Sequence, residues 1–173
     1  MNRSAIAALD IGSSKVCCLI AHIGKDKKIN IVSYGYNASK GIKNGVITDI
    51  NQATLSVCNA VEAAEQMAGE RIESVILNVS GDKTCSRLRS ESISLKKNRP
   101  ISEADIIKVR ERVLSKVNVE NNELIHCLPV GYKIDGNEDV KDPMNIYGEE
   151  LSAGILLGMY PHVLYKNLAS VVE

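Results

Sequence analysis

Residues 5–23, AIAALDIGSSKVCCLIAHI, decide the fold. Ala5–Leu9 is a short apolar run and Val16–Ile23 a longer one, each of strand length. Between them lies Asp10-Ile11-Gly12-Ser13-Ser14-Lys15, a polar stretch of mostly small residues, so the two runs form a hairpin. Such a tip has chemical uses. With no Cβ at Gly12, the main-chain N–H groups of Gly12, Ser13 and Ser14 can approach phosphate oxygens. Asp10 at the strand end is placed to hold a phosphate-bound Mg²⁺ through water, and Lys15 to offset phosphate charge. An ordinary tight turn explains the same residues, and spacing by itself leaves both readings open. A strand follows the turn where a helix would follow a P-loop or a dinucleotide-binding turn, so neither of those applies.

Outward from this hairpin, Ile29–Tyr36 is a third strand after the polar turn Lys25-Asp26-Lys27-Lys28, and Ser39–Gly45 is a loop with two glycines. Asp49 with Gln52 three residues on marks a helix start. Ile50, Ala53, Val57, Ala60, Val61, Ala64, Met67 and Ala68 recur at three-and-four spacing as its inward stripe, and Gly69 ends it. Ser74–Val79 reads as a buried strand. Thr84–Leu95 then alternates polar and apolar, as a strand with one wet face does. Ser102 with Asp105 opens a second helix, carrying Ile106, Val109, Val113 and Val117 inward. Leu124–Ile134 is a strand that Pro129 assigns to an edge or a bulge. In Glu150–Tyr160, Leu151, Ala153, Ile155, Leu157 and Met159 share one face. Pro161 opens a last helix with Leu164, Leu168, Val171 and Val172 inward. Residues 83–160 therefore run strand–helix–strand–strand between two pieces of another unit.

Composition bounds the function. The 173 residues carry 21 Lys and Arg against 21 Asp and Glu, six Tyr, and no Phe or Trp. A neutral chain with dispersed tyrosines is not built to wrap nucleic acid, so none is expected as a partner. No stretch approaches the ~18 apolar residues of a membrane span, and Met1-Asn2-Arg3-Ser4 lacks the pattern of a signal peptide. Five cysteines, with Cys17 and Cys18 adjacent and on opposite strand faces, fit a reduced cytoplasmic protein without a disulfide framework. Cys58, Cys85 and Cys127 read as small hydrophobes. His22, His126 and His162 stand at no metal-ligand spacing, and no nucleophilic triad is offered. The neutral total hides an asymmetry. Residues 83–116 hold ten basic and four acidic side chains, and residues 117–150 hold two and eight, giving +6 and −6. Either the strands of the two stretches neutralise each other, or they form a dipolar module in which Arg110 and Arg112 steer partners.

The strand–DIGSSK–strand unit resembles the first phosphate motif of the actin-like ATPases. Three further stretches resemble the FtsA family of bacterial cell-division proteins. They are Ser39–Asp49 (SKGIKNGVITD), Val79-Ser80-Gly81, and Leu128–Gly136 (LPVGYKIDG) followed by Val140-Lys141-Asp142-Pro143. The resemblance runs from residue 5 to the end. Two places depart from the family pattern. Gly131 stands where Gln is usual, and Asn145–Glu150 replaces a small glycine-rich turn with a following Arg.

The resemblance implies an α/β, actin-like (ribonuclease H-like) partial lobe with an inserted strand–helix–strand–strand (SHS2, 1C-type) domain. Residues 1–82 would be the first part of subdomain 1A, 83–160 the insert, and 161–173 the return to 1A. It implies ATP and Mg²⁺ as cofactors. Asp10 would be the Mg²⁺-side carboxylate, Gly12, Ser13 and Ser14 the cradle, and Lys15 the nearby cation. It further implies a role tethering FtsZ polymers to the cytoplasmic face of the inner membrane at the division site. Late division proteins, and self-association, would use the insert. The second phosphate loop, the adenosine pocket, the FtsZ-contacting subdomain and the amphipathic membrane helix of the family are not in these residues. The whole protein would be at most a weak ATPase, and this stretch alone inactive. A pilus-assembly adaptor and a sugar or acetate kinase of the same superfamily are the alternatives. The Gly41–Asp49 stretch favours the division family.

Overall fold

A computed structural model describes residues 5–173, apart from the side chains of residues 138 and 139. The reading of Met1–Ser4 lies outside the described residues. The chain divides into two compact units, one ending at Lys83 and resuming at Val163, the other Thr84–His162.

In the first unit, β1 (Ala5–Ile11), β2 (Lys15–Ile23) and β3 (Ile29–Ala38) form an antiparallel meander. Two short strands follow, β4 (Ile42–Lys43) and β5 (Val46–Ile47), then helix α1 (Ile50–Ala68) and strand β6 (Ile76–Asn78). β6 lies parallel to β1, giving a four-stranded sheet in the order β3-β2-β1-β6. Alternation along the strands puts Leu9, Ile11, Val16, Cys18 and Ile20 on one face, all buried, where they share a core with Ala53, Val57, Ala60 and Ala64 of α1.

Without Phe or Trp, this core closes by close approach. A Cβ on Gly35 of β3 would sit 2.1 Å from the Ala60 carbonyl oxygen and 2.6 Å from the Ala64 nitrogen, so the helix backbone rests directly on the strand. Each fully buried Leu or Ile still contributes about 1.5–3 kcal/mol.

Helix α1 is capped as its sequence signals. Asp49 Oδ1 accepts the Gln52 N–H at 3.0 Å, and Gly69 adopts the left-handed conformation at φ 71° that ends the helix. The stripe is narrower than the periodicity suggests, because Ile50 and Met67, at its two ends, are exposed. Ser74–Val79, read as a buried strand, is a strand only over Ile76–Asn78, with Ile76 65% exposed. Periodicity alone cannot tell a buried apolar run from one on an open sheet face.

The second unit contains β7 (Cys85–Ser94), α2 (Glu103–Ser115), β8 (Asn122–Ile134), the short β9 (Asn137–Val140) and β10 (Glu150–Pro161), in sheet order β7-β10-β8-β9. β10 is central, and Leu151, Ala153, Ile155, Leu157 and Met159 are all buried. Val109 and Val113 of α2 join most of them in a second core. Pro129 lies on the part of β8 that β9 does not reach, paired on its β10 side alone. The register passes from Gly131 opposite Gly154 to Pro129 opposite Ile155, so Val130 is the extra residue of a bulge. Sequence reading passed over β9, a four-residue strand, inside what read as an acidic loop.

At the start of α2 the Ser102 N–H and hydroxyl both donate to Asp105 Oδ2, at 3.0 and 2.6 Å. Arg99 binds both Asp105 oxygens at 2.7 Å. These bonds, Arg99's first, hold the Asp105 carboxyl well below the usual carboxylate range. The chain returns to the first unit through helix α3 (His162–Val172), whose Leu168 and Val171 are buried in the first core.

Candidate functional site

The β1–β2 turn, the end of β6 and the β4–β5 hairpin meet in the first unit. β1 and β6 run parallel and end side by side with Asp10 opposite Asn78. Ligands in open α/β sheets gather at such carboxyl ends. Asn78 Nδ2 donates to Asp10 Oδ1 at 3.0 Å, fixing the carboxylate. Both residues are exposed, and Asp10 Oδ2 accepts no hydrogen bond among the described residues.

The turn beyond Asp10 is held at three points. Gly12 N–H donates to the Lys15 carbonyl at 3.0 Å, and the Ser14 carbonyl accepts from Ser39 N–H at 3.0 Å. Ser13 Oγ accepts from Gly45 N–H at 3.0 Å. A Cβ on Gly12 would meet the Lys15 carbonyl oxygen at 3.0 Å, tighter than ordinary contact. The N–H groups of Ser13 and Ser14 donate to no group among the described residues. Ser13, Ser14 and Lys15 are exposed, and Lys15 has no acidic partner among the described residues.

Two fixed, undonated amides, a cation and a carboxylate thus share one small turn. This donor set suits a phosphate group, which accepts from amides and is offset by a cation. One carboxylate does not hold Mg²⁺ by itself, and no cluster of three metal-ligating side chains occurs among the described residues. The arrangement fits a cation carried in by the phosphates, with Asp10 as its protein-side neighbour.

Sequence reading named Asp10, Gly12, Ser13, Ser14 and Lys15, and the structure brings these five together. It missed Asn78, and it missed the Asn44-Gly45 tip. Residues 39–45, read as a loop, carry β4 and half of a two-residue hairpin with Asn44 and Gly45 at φ 51° and 74°. The Asn-Gly dipeptide between short β-branched runs was the available signal. This tip touches Ser13, and a Cβ on Gly45 would lie 3.1 Å from the Ser80 carbonyl oxygen, beside Gly81. Nothing local in the sequence pointed to Asn78, which gains its place only through the parallel pairing of β6 with β1.

Arg110 and Arg112 both lie on α2. Two residues apart on a helix, they point to different sides. Arg112 Nε lies 3.7 Å from Glu91 Oε2, whereas Arg110 is half-buried. Glu91 is also bonded by Lys116 at 2.7 Å, and this bond, foremost, lowers its pKa. Among the described residues the ion pairs made by residues 83–116 join them to one another or, for Lys83, to the adjacent Asp82, and none reaches residues 117–150. The strand order explains this, since β10 stands between β7 and β8.

His22 pairs with Glu70 at 2.6 Å, and His162 Nδ1 pairs with Glu123. All five cysteines are free, and burial pushes the Cys18 thiol up to about 11. Among the described residues no helix is long and apolar enough to cross a membrane.

Known proteins resemble this chain in three ways. The model of the SHS2 domain inserted in FTSA matches residues 81–157. The cell division protein FtsA of Agrobacterium fabrum is 32% identical over 178 residues, covering 97% of this chain and 40% of that protein. The FtsA proteins of Pseudomonas aeruginosa and Escherichia coli are 33% and 26% identical, covering 87% and 99% of this chain and 36% and 41% of theirs. A solved PilM-PilN type IV pilus biogenesis complex superposes with a TM-score of 0.57 at 10% identity, covering 98% of this chain and 44% of that one. At that identity the likeness is one of fold. The chain spans about two fifths of the length of the curated relatives it matches (40% of the first). Sequence likeness over nearly all its residues, together with the matching inserted domain, makes this chain similar to an N-terminal part of the FtsA proteins.

Proposed function

We propose that this chain supplies one side of a nucleotide cleft and a partner-docking domain in a bacterial division protein. In this reading the β1–β2 turn receives phosphates of Mg²⁺-bound ATP. Ser13 and Ser14 donate their free amides, Lys15 offsets charge, and Asp10, oriented by Asn78, faces the cation through water. Bound ATP supplies a charged, Mg²⁺-neutralised triphosphate that orders the loops around it; it acts here as a conformational ligand. The observation that carries the reading is the pair of undonated Ser13 and Ser14 amides beside the Asn78-held Asp10. The whole protein would tether FtsZ polymers to the inner membrane at the septum, and the second unit would recruit later division proteins. The likeness to the FtsA proteins and the match to their inserted domain support this.

A cleft gripped from one side binds weakly, so the chain alone is expected to bind Mg²⁺-ATP no better than about millimolar. Titration by heteronuclear NMR should shift the Gly12–Lys15 amides, and Asp10→Asn should reduce the Mg²⁺ dependence of that shift. Unmoved Ser13 and Ser14 amides would remove the cradle. Low-micromolar binding by calorimetry would contradict the one-sided cleft.

A further inference from the structure

β7 forms one edge of the second unit's sheet, pairing with β10 on its inner side alone among the described residues. It matches β10 over ten consecutive pairs, from Cys85 opposite Met159 to Ser94 opposite Glu150, with no register shift. Long edges usually carry a bulge or a proline that keeps another strand from adding. β7 has neither, and Cys85–Ser90 are exposed on both faces. Alternate residues of such a strand turn their N–H and C=O groups outward, leaving half of its main-chain groups open to pairing.

The side chains define what pairs there. Arg87 and Arg89 share the face on which Ile93 is buried with Val109 and Val113 of α2. Neither has an acidic partner among the described residues. Arg89 Nη1 donates to the Leu88 carbonyl at 3.3 Å, which keeps the guanidinium against the strand's own main chain. Glu91, the one acid on that face of β7, is already engaged by both Lys116 and Arg112. The edge is therefore positive on this face, while its other face presents exposed Leu88 between Ser86 and Ser90.

We propose that the outer edge of β7 is a docking strand for an extended acidic segment of another protein. That segment adds to the sheet beside β7 as a further strand. Its acidic side chains alternate over Arg87 and Arg89, and small or apolar ones lie beside Leu88. A nucleic acid meets the charge but has no peptide groups to continue the ladder. A second copy of this chain fits poorly. Two β7 edges would oppose cation to cation, and β9, in the acidic stretch, has only four residues to set against ten. The inference stands on the second unit and holds whether or not the β1–β2 turn takes phosphate.

The test is a fluorescence-anisotropy titration of the 173-residue chain with a labelled nonapeptide of alternating Glu and Val. The peptide is expected to bind, and Arg87→Glu with Arg89→Glu is expected to weaken it roughly tenfold or more. Both sites are exposed, so unchanged circular dichroism should confirm an intact fold. A fully N-methylated peptide keeps the charge without the ladder donors, and should not bind. Failure of the Glu–Val peptide to bind overturns the proposal. So does equal binding of the methylated peptide or of a nine-nucleotide single-stranded RNA, which would make the edge a plain polyanion surface. A concentration-dependent dimer in light scattering that Arg89→Glu abolishes gives the edge to a second copy, and also overturns it.

Discussion

Asp105→Asn removes the charge at the centre of the α2 N-terminus while keeping the side chain's shape. In the folded chain this carboxylate accepts two bonds from Arg99 and two from Ser102, and its side chain is only 10% exposed. Losing the capping function costs about 1 kcal/mol, and losing charge-assisted hydrogen bonds costs about 1.5–3 kcal/mol. The Arg99 side chain is 36% exposed and regains water, which places the sum at the low end, about 2 kcal/mol. The pH dependence has a definite sign. The folded pKa lies far below the unfolded one, about 3.9, so the contribution is fully present above pH ~4 and fades as pH falls toward the folded value. The variant has no carboxylate to protonate, so its deficit should shrink between about pH 4 and pH 2. Because the chain has two units, global melting would mix them. The assay is therefore amide hydrogen exchange of α2 and β10 peptides under mild urea at pH 7, 4 and 3, corrected for intrinsic exchange rates. A deficit below about 0.5 kcal/mol at pH 7, or one that stays constant down to pH 3, would refute the account of this cluster.

Other outcomes follow from the same structure. Gly35→Ala should destabilise the first unit by about 3 kcal/mol, because the new methyl meets α1 backbone and not a flexible side chain; amide hydrogen exchange of α1 and β2 peptides checks this. Gly45→Ala forces a Cβ onto a left-handed residue beside the Ser80 carbonyl, and should cost about 1–2 kcal/mol, with the Ser13 amide resonance shifting as its hydroxyl contact loosens. Asp49→Ala removes the α1 cap and should cost about 1 kcal/mol, read as faster exchange in the first turn of α1. Under native conditions at pH 8, iodoacetamide should label exposed Cys58 and Cys85 and spare Cys18, which is buried and titrates near 11. Mass spectrometry showing early Cys18 alkylation would contradict that packing.

Much of the fold is legible locally. The β1–β2 hairpin, the caps of α1 and α2, and the buried face of β10 each rest on short local patterns set by strand and helix geometry. What was misread shares one cause. Ile76, Met67 and Ile50 are apolar but exposed, and nothing in their immediate neighbours says which sheet face a helix covers. Pro129 restricts a strand to an edge or a bulge, and only the pairing shows that both apply, a bulge at Val130 and no β9 partner opposite Pro129. Fixed left-handed residues at Asn44 and Gly45 turned an apparent loop into a hairpin reaching the β1–β2 turn.

By itself the sequence determined the β1–β2 turn, because Asp10, Gly12, Ser13, Ser14 and Lys15 are consecutive or nearly so and chain connectivity alone gathers them. It also determined the opposed charge of residues 83–116 and 117–150. The tertiary structure decided the rest. Asn78 reaches Asp10 across 68 residues of chain through one parallel strand pair. Among the described residues no ion pair joins the two charge blocks, and β10 enters the sheet between β7 and β8. That order depends on which strand has a face apolar enough to be buried at the centre. Only β10 has such a face along its whole length.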